Sequence, residues 1–131
     1  MEDYIKKSIF DILPEVDLKG IYFCEGYKNS AEGTYVFSKD GKYHFMFTEK
    51  GGISEDKELN DETEVLWNVL NAVLFDISME YALENRIEGK DFRRPLFKKE
   101  IELYSMFGDD FKQRKSEEIQ ELLIENPYED E

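Results

Sequence analysis

The sequence is poor in the reactive side chains on which many small enzymes and metal sites depend. Cys24 and His44 are its only cysteine and its only histidine among 131 residues. A lone cysteine excludes an intrachain disulfide and fits a reducing compartment. Zinc sites built from two cysteines and two histidines are excluded within one chain. We therefore expect no metal and no cofactor. A Cys24–His44 dyad across adjacent strands stays open beside a structural role for both residues.

Long apolar runs are also missing. The longest apolar stretch, from Val65 to Leu74, is interrupted by Asn68 and Asn71. It is well short of the roughly 20 residues that a membrane-spanning helix needs. The start, Met1-Glu2-Asp3, has acidic residues where a secretory signal carries basic ones. The sequence therefore predicts a soluble protein of the cytoplasm.

Basic side chains are scarce relative to acidic ones. Seventeen lysines and arginines stand against 31 aspartates and glutamates, which gives a formal net charge of −14. Proteins bind nucleic acid by neutralising its phosphates with basic side chains, and anionic membranes attract the same groups. We therefore expect neither a nucleic-acid partner nor a membrane partner. The charge either serves solubility alone or attracts a basic protein, whose association such a field accelerates.

The first half of the chain predicts one helix followed by strands. Apolar residues with helical spacing run from Met1 to Leu13, and Pro14 ends that pattern. β-forming residues then cluster in three segments, at 20–27, 34–38 and 42–50. Asp40-Gly41 between the last two segments is a strong hairpin signal, because a type I′ turn needs positive φ at both central residues. The segment Ile53–Leu59 is either a further strand or an acidic loop.

The second half predicts three helices. The first, Val65 to Leu83, is apolar nearly all round, which is typical of a buried central helix. Asn60 or Asp61 is its expected N-cap and Gly89 its C-terminal glycine. Helices at 95–107 and after Gly108 follow, and the tail 128–131 is expected to fray. We predict a single α+β domain over 1–131, with an N-terminal helix, a small antiparallel meander of three to four strands, and three C-terminal helices packed on the sheet.

Two groups of acidic residues are candidate functional features. The first has steps of four along one stripe of the long helix and consists of Asp76, Glu80, Glu84 and Glu88. This stripe is either the solvated face of the helix, with Arg86 and other nearby arginines relieving the repulsion, or a metal or acid–base site.

The second group lies around the segment that precedes the long helix. Its members are Glu49, Glu55, Asp56, Glu58, Asp61, Glu62 and Glu64. They are either ordinary loop charge and helix capping, or a patch that binds a basic partner, since loops on a rigid scaffold often carry binding.

Several segments of the sequence resemble a known family. They include the run from Tyr43 to Gly52, the Trp67 helix, the segment Gly89–Leu103 with its Asp-Phe-Arg-Arg motif, and the closing Asn-Pro-Tyr at 126–128. Together they cover about the last two thirds of the chain. They resemble the immunity-63 family of bacterial polymorphic-toxin systems.

This resemblance implies a non-enzymatic inhibitor rather than an enzyme. Such a protein stays in the producer's cytoplasm and neutralises a cognate toxin domain, as in contact-dependent inhibition. Because many such toxins are nucleases, we expect the partner to be basic. Arg93 and Arg94 either form structural ion pairs with stripe carboxylates such as Glu80 and Glu84 or contact the partner, and we favour the structural role. The alternatives are another acidic interaction module, a nucleic-acid mimic, or a small metal-dependent enzyme that uses the stripe.

Overall fold

The computed structural model describes residues 1–18, 20–23, 32–49 and 52–131, without the side chains of 53–55. Cys24, and with it the question of a dyad with His44, lies outside the described residues. Within these ranges the elements are α1 (Glu2–Phe10), β1 (Ile21–Phe23), β2 (Gly33–Lys39), β3 (Lys42–Glu49), β4 (Gly52–Leu59), α2 (Glu62–Glu84), α3 (Arg93–Ser105) and α4 (Asp109–Glu125). This order confirms the α+β class. No helix in the described ranges is both long and apolar enough to cross a membrane.

The chain divides into two compact units, Met1–Leu70 and Asn71–Glu131, and helix α2 begins in the first and ends in the second. The expectation of a single domain stays a prediction. In the first unit, α1 buries Ile5 and Ile9 completely. The helix ends at Phe10, three residues before the predicted end at Leu13. The proline at 14 disfavours helical geometry in the residue before it, which is consistent with this shorter helix.

The sheet has the strand order β1-β2-β3-β4. Strands β2 and β3 are antiparallel, and the turn between them has positive φ at Asp40 (53°) and Gly41 (77°), which confirms the predicted hairpin. Strand β4 pairs antiparallel with β3. The segment Ile53–Leu59 is therefore part of a strand and not an acidic loop.

Strand β1 corrects the prediction of a purely antiparallel meander, because it runs parallel to β2. A tight hairpin joins antiparallel neighbours, whereas parallel neighbours need a longer connection. Gly33 opens β2 where β1 comes close. A Cβ atom there would lie 2.7 Å from the Tyr22 ring and 2.8 Å from the Gly20 carbonyl oxygen. Glycine therefore permits this close approach.

The strand register gives the sheet two different faces. Tyr43, Phe45 and Phe47 share one face, and His44 and Met46 share the other, as the alternation predicts. On the second face Tyr35, Phe37 and Met46 form a buried cluster. The His44 ring stacks on Phe37 with centroids 4.9 Å apart. Both faces therefore carry apolar side chains.

The start of α2 lies beside the Tyr43 face of the sheet. The Tyr43 hydroxyl donates to Glu62 over 3.5 Å, and Lys57 Nζ donates to Asn68 Oδ1 over 3.4 Å. The apolar residues of this part of the helix are fully buried at Val65, Val69 and Leu70. This confirms the prediction that the first half of α2 is a buried element.

The second unit is helical. Ala82, Leu96, Phe97 and Ile119 form its buried core cluster. Helix α2 ends at Glu84, earlier than predicted, so Gly89 does not terminate it although its φ is 79°. Gly108, with φ of 117°, is the N-cap of α4, where the sequence predicted Asp109 or Asp110. The two aspartates lie instead in the first turn, where their charge favours the positive end of the helix dipole.

A buried polar network crosses this helical unit. The Tyr104 hydroxyl donates to Asn71 Oδ1. Lys115 Nζ lies 4.8 Å from the centre of the Tyr104 ring and 3.0 Å from Glu118 Oε1. Burial raises the pKa of the Glu100 carboxyl, and the charge of Lys115 partly offsets this. Glu100, Tyr104 and Lys115 are therefore buried within the unit, whereas Glu118 is exposed.

Candidate partner-binding surface

Strand β4 and the start of α2 gather most of the second acidic group. We call this the β4–α2 acidic surface; its described side chains are Glu49, Asp56, Glu58, Asp61, Glu62 and Glu64. Glu62 and Glu64 are half-buried and the other four are exposed. Glu55 lies on β4, but its side chain is outside the described part of the structure. Glu49 lies on β3, Asp56 and Glu58 lie on the His44 face of β4, and the remaining members lie at the start of α2, beside the Tyr43 face. The two described members on β4 and the members on the helix are therefore on opposite faces of the sheet.

Three members of this surface also serve the helix. Asp61 Oδ1 accepts a hydrogen bond of 2.9 Å from the backbone N–H of Glu64, so Asp61 caps α2 as predicted. Glu62 and Glu64 lie in the first turn, where the helix dipole favours negative charge. Helix capping therefore accounts for part of the acidic group but not for the carboxylates on β4.

The two described carboxylates of β4, Asp56 and Glu58, each have one partner on β3. Glu58 Oε2 is 3.9 Å from Lys42 Nζ, and both side chains are more than half exposed. Exposed pairs of this kind contribute about 0–1 kcal/mol. Asp56 Oδ1 lies 3.1 Å from Nδ1 of His44, whose own side chain is largely buried. The Glu58 side chain is thus 60% exposed and weakly paired, while the Asp56 side chain is 41% exposed and bonded to His44.

The carboxylates of the helical stripe point to solvent. Asp76, Glu80, Glu84 and Glu88 are all exposed. Across the described ranges, no three acidic, histidine or cysteine side chains converge closely enough to hold a metal ion. The geometry therefore matches the solvated helix face and gives no support to a metal site on this stripe.

Arg93 and Arg94 pair with carboxylates other than those expected. Arg93 Nη2 is 2.9 Å from Asp91 Oδ2, and Arg94 Nη2 is 2.6 Å from Asp130 Oδ2. In the described residues neither arginine pairs with Glu80 or Glu84. Both arginines lie in the first turn of α3, beside Asp91 and the C-terminal tail.

These arginines hold the C-terminal tail in place. Arg93 donates to the carbonyl oxygens of Asn126 and Pro127 over 2.7 and 2.8 Å. The backbone N–H of Glu129 donates to Asp91 Oδ2 over 2.7 Å. The Tyr128 ring lies 4.0 Å from the Arg94 guanidinium. The expectation of a frayed tail is therefore wrong.

The ion pairs shift the acid strength of both aspartates. Hydrogen bonds from Arg93 hold the pKa of Asp91 far below its usual range. The hydrogen bond from Arg94, helped by the backbone N–H of Asp91, lowers the pKa of Asp130 to about 2. Both carboxylates are therefore ionised at neutral pH. Sequence reasoning missed both, although Asp91 stands two residues before Arg93.

The Asp-Phe-Arg-Arg segment that anchors the tail is also part of a family match. The profile described as Immunity protein 63 matches residues 39–121, more than half of the chain. The chain belongs to the Immunity protein 63 family. The matched range includes the β4–α2 acidic surface and both arginines, while the tail that they hold lies beyond it. No curated protein and no solved structure matches this family member.

Proposed function

We propose that this member of the Immunity protein 63 family binds and neutralises a cognate bacterial toxin domain, without catalysing a reaction. Its place of action is the cytoplasm of the producing cell, within a polymorphic-toxin system of the contact-dependent kind. Membership of a family of immunity proteins supports an antitoxin role. The observation that carries the binding mode is the exposed β4–α2 acidic surface.

The charge of this surface indicates the kind of toxin. A net charge of −14 attracts a basic domain and speeds diffusional encounter. Nucleases carry basic grooves because their substrate is a polyanion. A carboxylate surface that docks in such a groove would block nucleic acid by direct competition. We therefore propose a basic toxin domain, with a nuclease as the favoured class.

Co-expression tests the function directly. The toxin domain encoded beside this protein is first shown to stop growth when expressed alone. Co-expression of this protein is then expected to restore growth, and the two purified proteins are expected to form a stable complex. A complex without rescue would contradict neutralisation, and rescue without any complex would contradict binding. Either result would remove the proposal.

A further inference from the structure

Strand β4 is the outer strand of the sheet. It runs over eight residues, from Gly52 to Leu59, and among the described residues it pairs with β3 alone. The opposite edge, β1, has three residues. Every second residue of an edge strand directs its backbone N–H and C=O groups outwards, which makes such an edge a template for another strand. Within the described parts of the chain, β4 is therefore the longer edge of the sheet.

The side chains at 56–58 in β4 contribute little to the core. Asp56, Lys57 and Glu58 are consecutive and all exposed, although the residues of a strand alternate between the two faces. The register is nevertheless regular here, from the Tyr43–Leu59 pair to the Phe47–Glu55 pair, because the irregularity lies beyond Phe47. The chain thus keeps a regular register over 55–59, although the side chains at 56–58 are exposed.

The charges beside this edge favour one kind of added strand over another. Asp56 and Glu58 lie two residues apart on one face of the strand, where an added strand places every second side chain. A second copy of β4 would bring carboxylates against carboxylates, which destabilises a strand pair. A strand with lysine or arginine at every second position would instead meet opposite charge.

We propose that the outer edge of β4 pairs with an extended strand of the cognate toxin, whose basic side chains face Asp56 and Glu58. Backbone hydrogen bonds then supply affinity and the alternate charges supply specificity. This inference rests on the proposed function and names how the toxin is held. It also predicts that the protein does not dimerise through β4 by itself.

Amide hydrogen exchange tests the edge pairing. The probe is the toxin domain that this protein neutralises in the growth assay. The outward-facing amides of 52–59 are expected to exchange rapidly in the free protein and at least tenfold more slowly in the complex. The inward-facing amides, already bonded to β3, provide the internal control. Unchanged exchange of the outward amides in a saturated complex would overturn the edge pairing.

Proline substitution gives an independent test. Successive residues of β4 direct their N–H groups to opposite sides, so one of D56P and K57P removes a bond to β3 and the other removes an outward donor. Each proline variant is compared with the alanine variant at the same position, D56A or K57A. The proline variant that melts at the same temperature as its alanine control is the one that lost the outward donor. We expect it to bind the toxin at least tenfold more weakly than that control. Equal affinity would contradict the inference.

The outcomes separate this inference from the function on which it rests. Rescue of growth combined with unprotected β4 amides would contradict the edge pairing alone. Failure of the wild-type protein to rescue growth would contradict the proposed function and the edge pairing together. A stable dimer whose β4 amides are protected in the absence of toxin would show that a second copy occupies the edge, and would also overturn the inference.

Discussion

The guanidinium of Arg94 grips the carboxylate of Asp130 with two parallel hydrogen bonds, from Nε to Oδ1 over 3.0 Å and from Nη2 to Oδ2 over 2.6 Å. The two residues are 36 positions apart, so the contact fastens the end of the chain to the start of α3. Such bidentate pairs have a geometry that lysine cannot reproduce. The arginines of the Asp-Phe-Arg-Arg motif thus have a structural role in this fold.

Acid is expected to release the tail. The pKa of Asp130 is lower in the folded protein than the ordinary aspartate value of 3.8. Its ionised form therefore stabilises the fold above pH 3.8, and this contribution is lost as the pH falls through about 2. Protection of the 129–131 amides should therefore decline between about pH 4 and pH 2. In the D130N variant this decline should be weaker, because Asp91 alone then titrates. An identical decline in D130N would contradict the role of Asp130.

Two leucines of α2 offer a matched test of the helical core. Leu74 is fully buried, whereas Leu83 is 62% exposed. Leu74→Ala is expected to lower the free energy of unfolding by about 2–5 kcal/mol, because it leaves a cavity. Leu83→Ala is expected to change it by about 0.5 kcal/mol or less. Urea denaturation measures both, and equal effects would contradict this packing.

Gly33 is expected to tolerate no side chain. A Cβ atom would approach the Tyr22 ring and the Gly20 carbonyl oxygen, and the φ of 150° is unfavourable for other residues. Gly33→Ala should therefore destabilise the protein by more than about 1 kcal/mol. At Gly52 the nearest atom would lie at an ordinary contact distance of 3.8 Å, so Gly52→Ala is the matched control. Similar thermal melting of the two variants would contradict the close approach of β1.

Local signals account for the features that the sequence predicted correctly. The hairpin at Asp40-Gly41 depends on the turn residues themselves, and α2 depends on an apolar pattern within one segment. The parallel pairing of β1 and the contact between Asp91 and the tail depend on residues brought together by the rest of the fold. The backbone N–H of Asp91, for example, bonds to Asp130 across 39 positions. No periodicity in the sequence reports such a contact.

The candidate surface follows the same division between local signals and contacts that depend on the rest of the fold. The local density of acidic residues in the sequence is enough to identify Asp56, Glu58 and Asp61 as candidates. The position of Asp56 and Glu58 on an edge strand follows from the strand order, which the residues alone did not determine. Asp61 lies beyond that strand and caps α2. The expected partners of the arginines were wrong because the helical stripe, chosen for its spacing, faces solvent. The role of the acidic residues in toxin binding stays a proposal.

The most direct test of the account compares two variants of equal charge. D56N/E58Q removes two negative charges from the β4–α2 acidic surface, and E80Q/E84Q removes two from the exposed stripe of α2. Association with the neutralised toxin domain is measured by stopped flow at low and at physiological salt. We expect D56N/E58Q to slow association by about threefold or more at low salt, with a weaker salt dependence, and E80Q/E84Q to leave it unchanged. Equal slowing by both variants, or by neither, would contradict the claim that the toxin docks on the β4–α2 acidic surface.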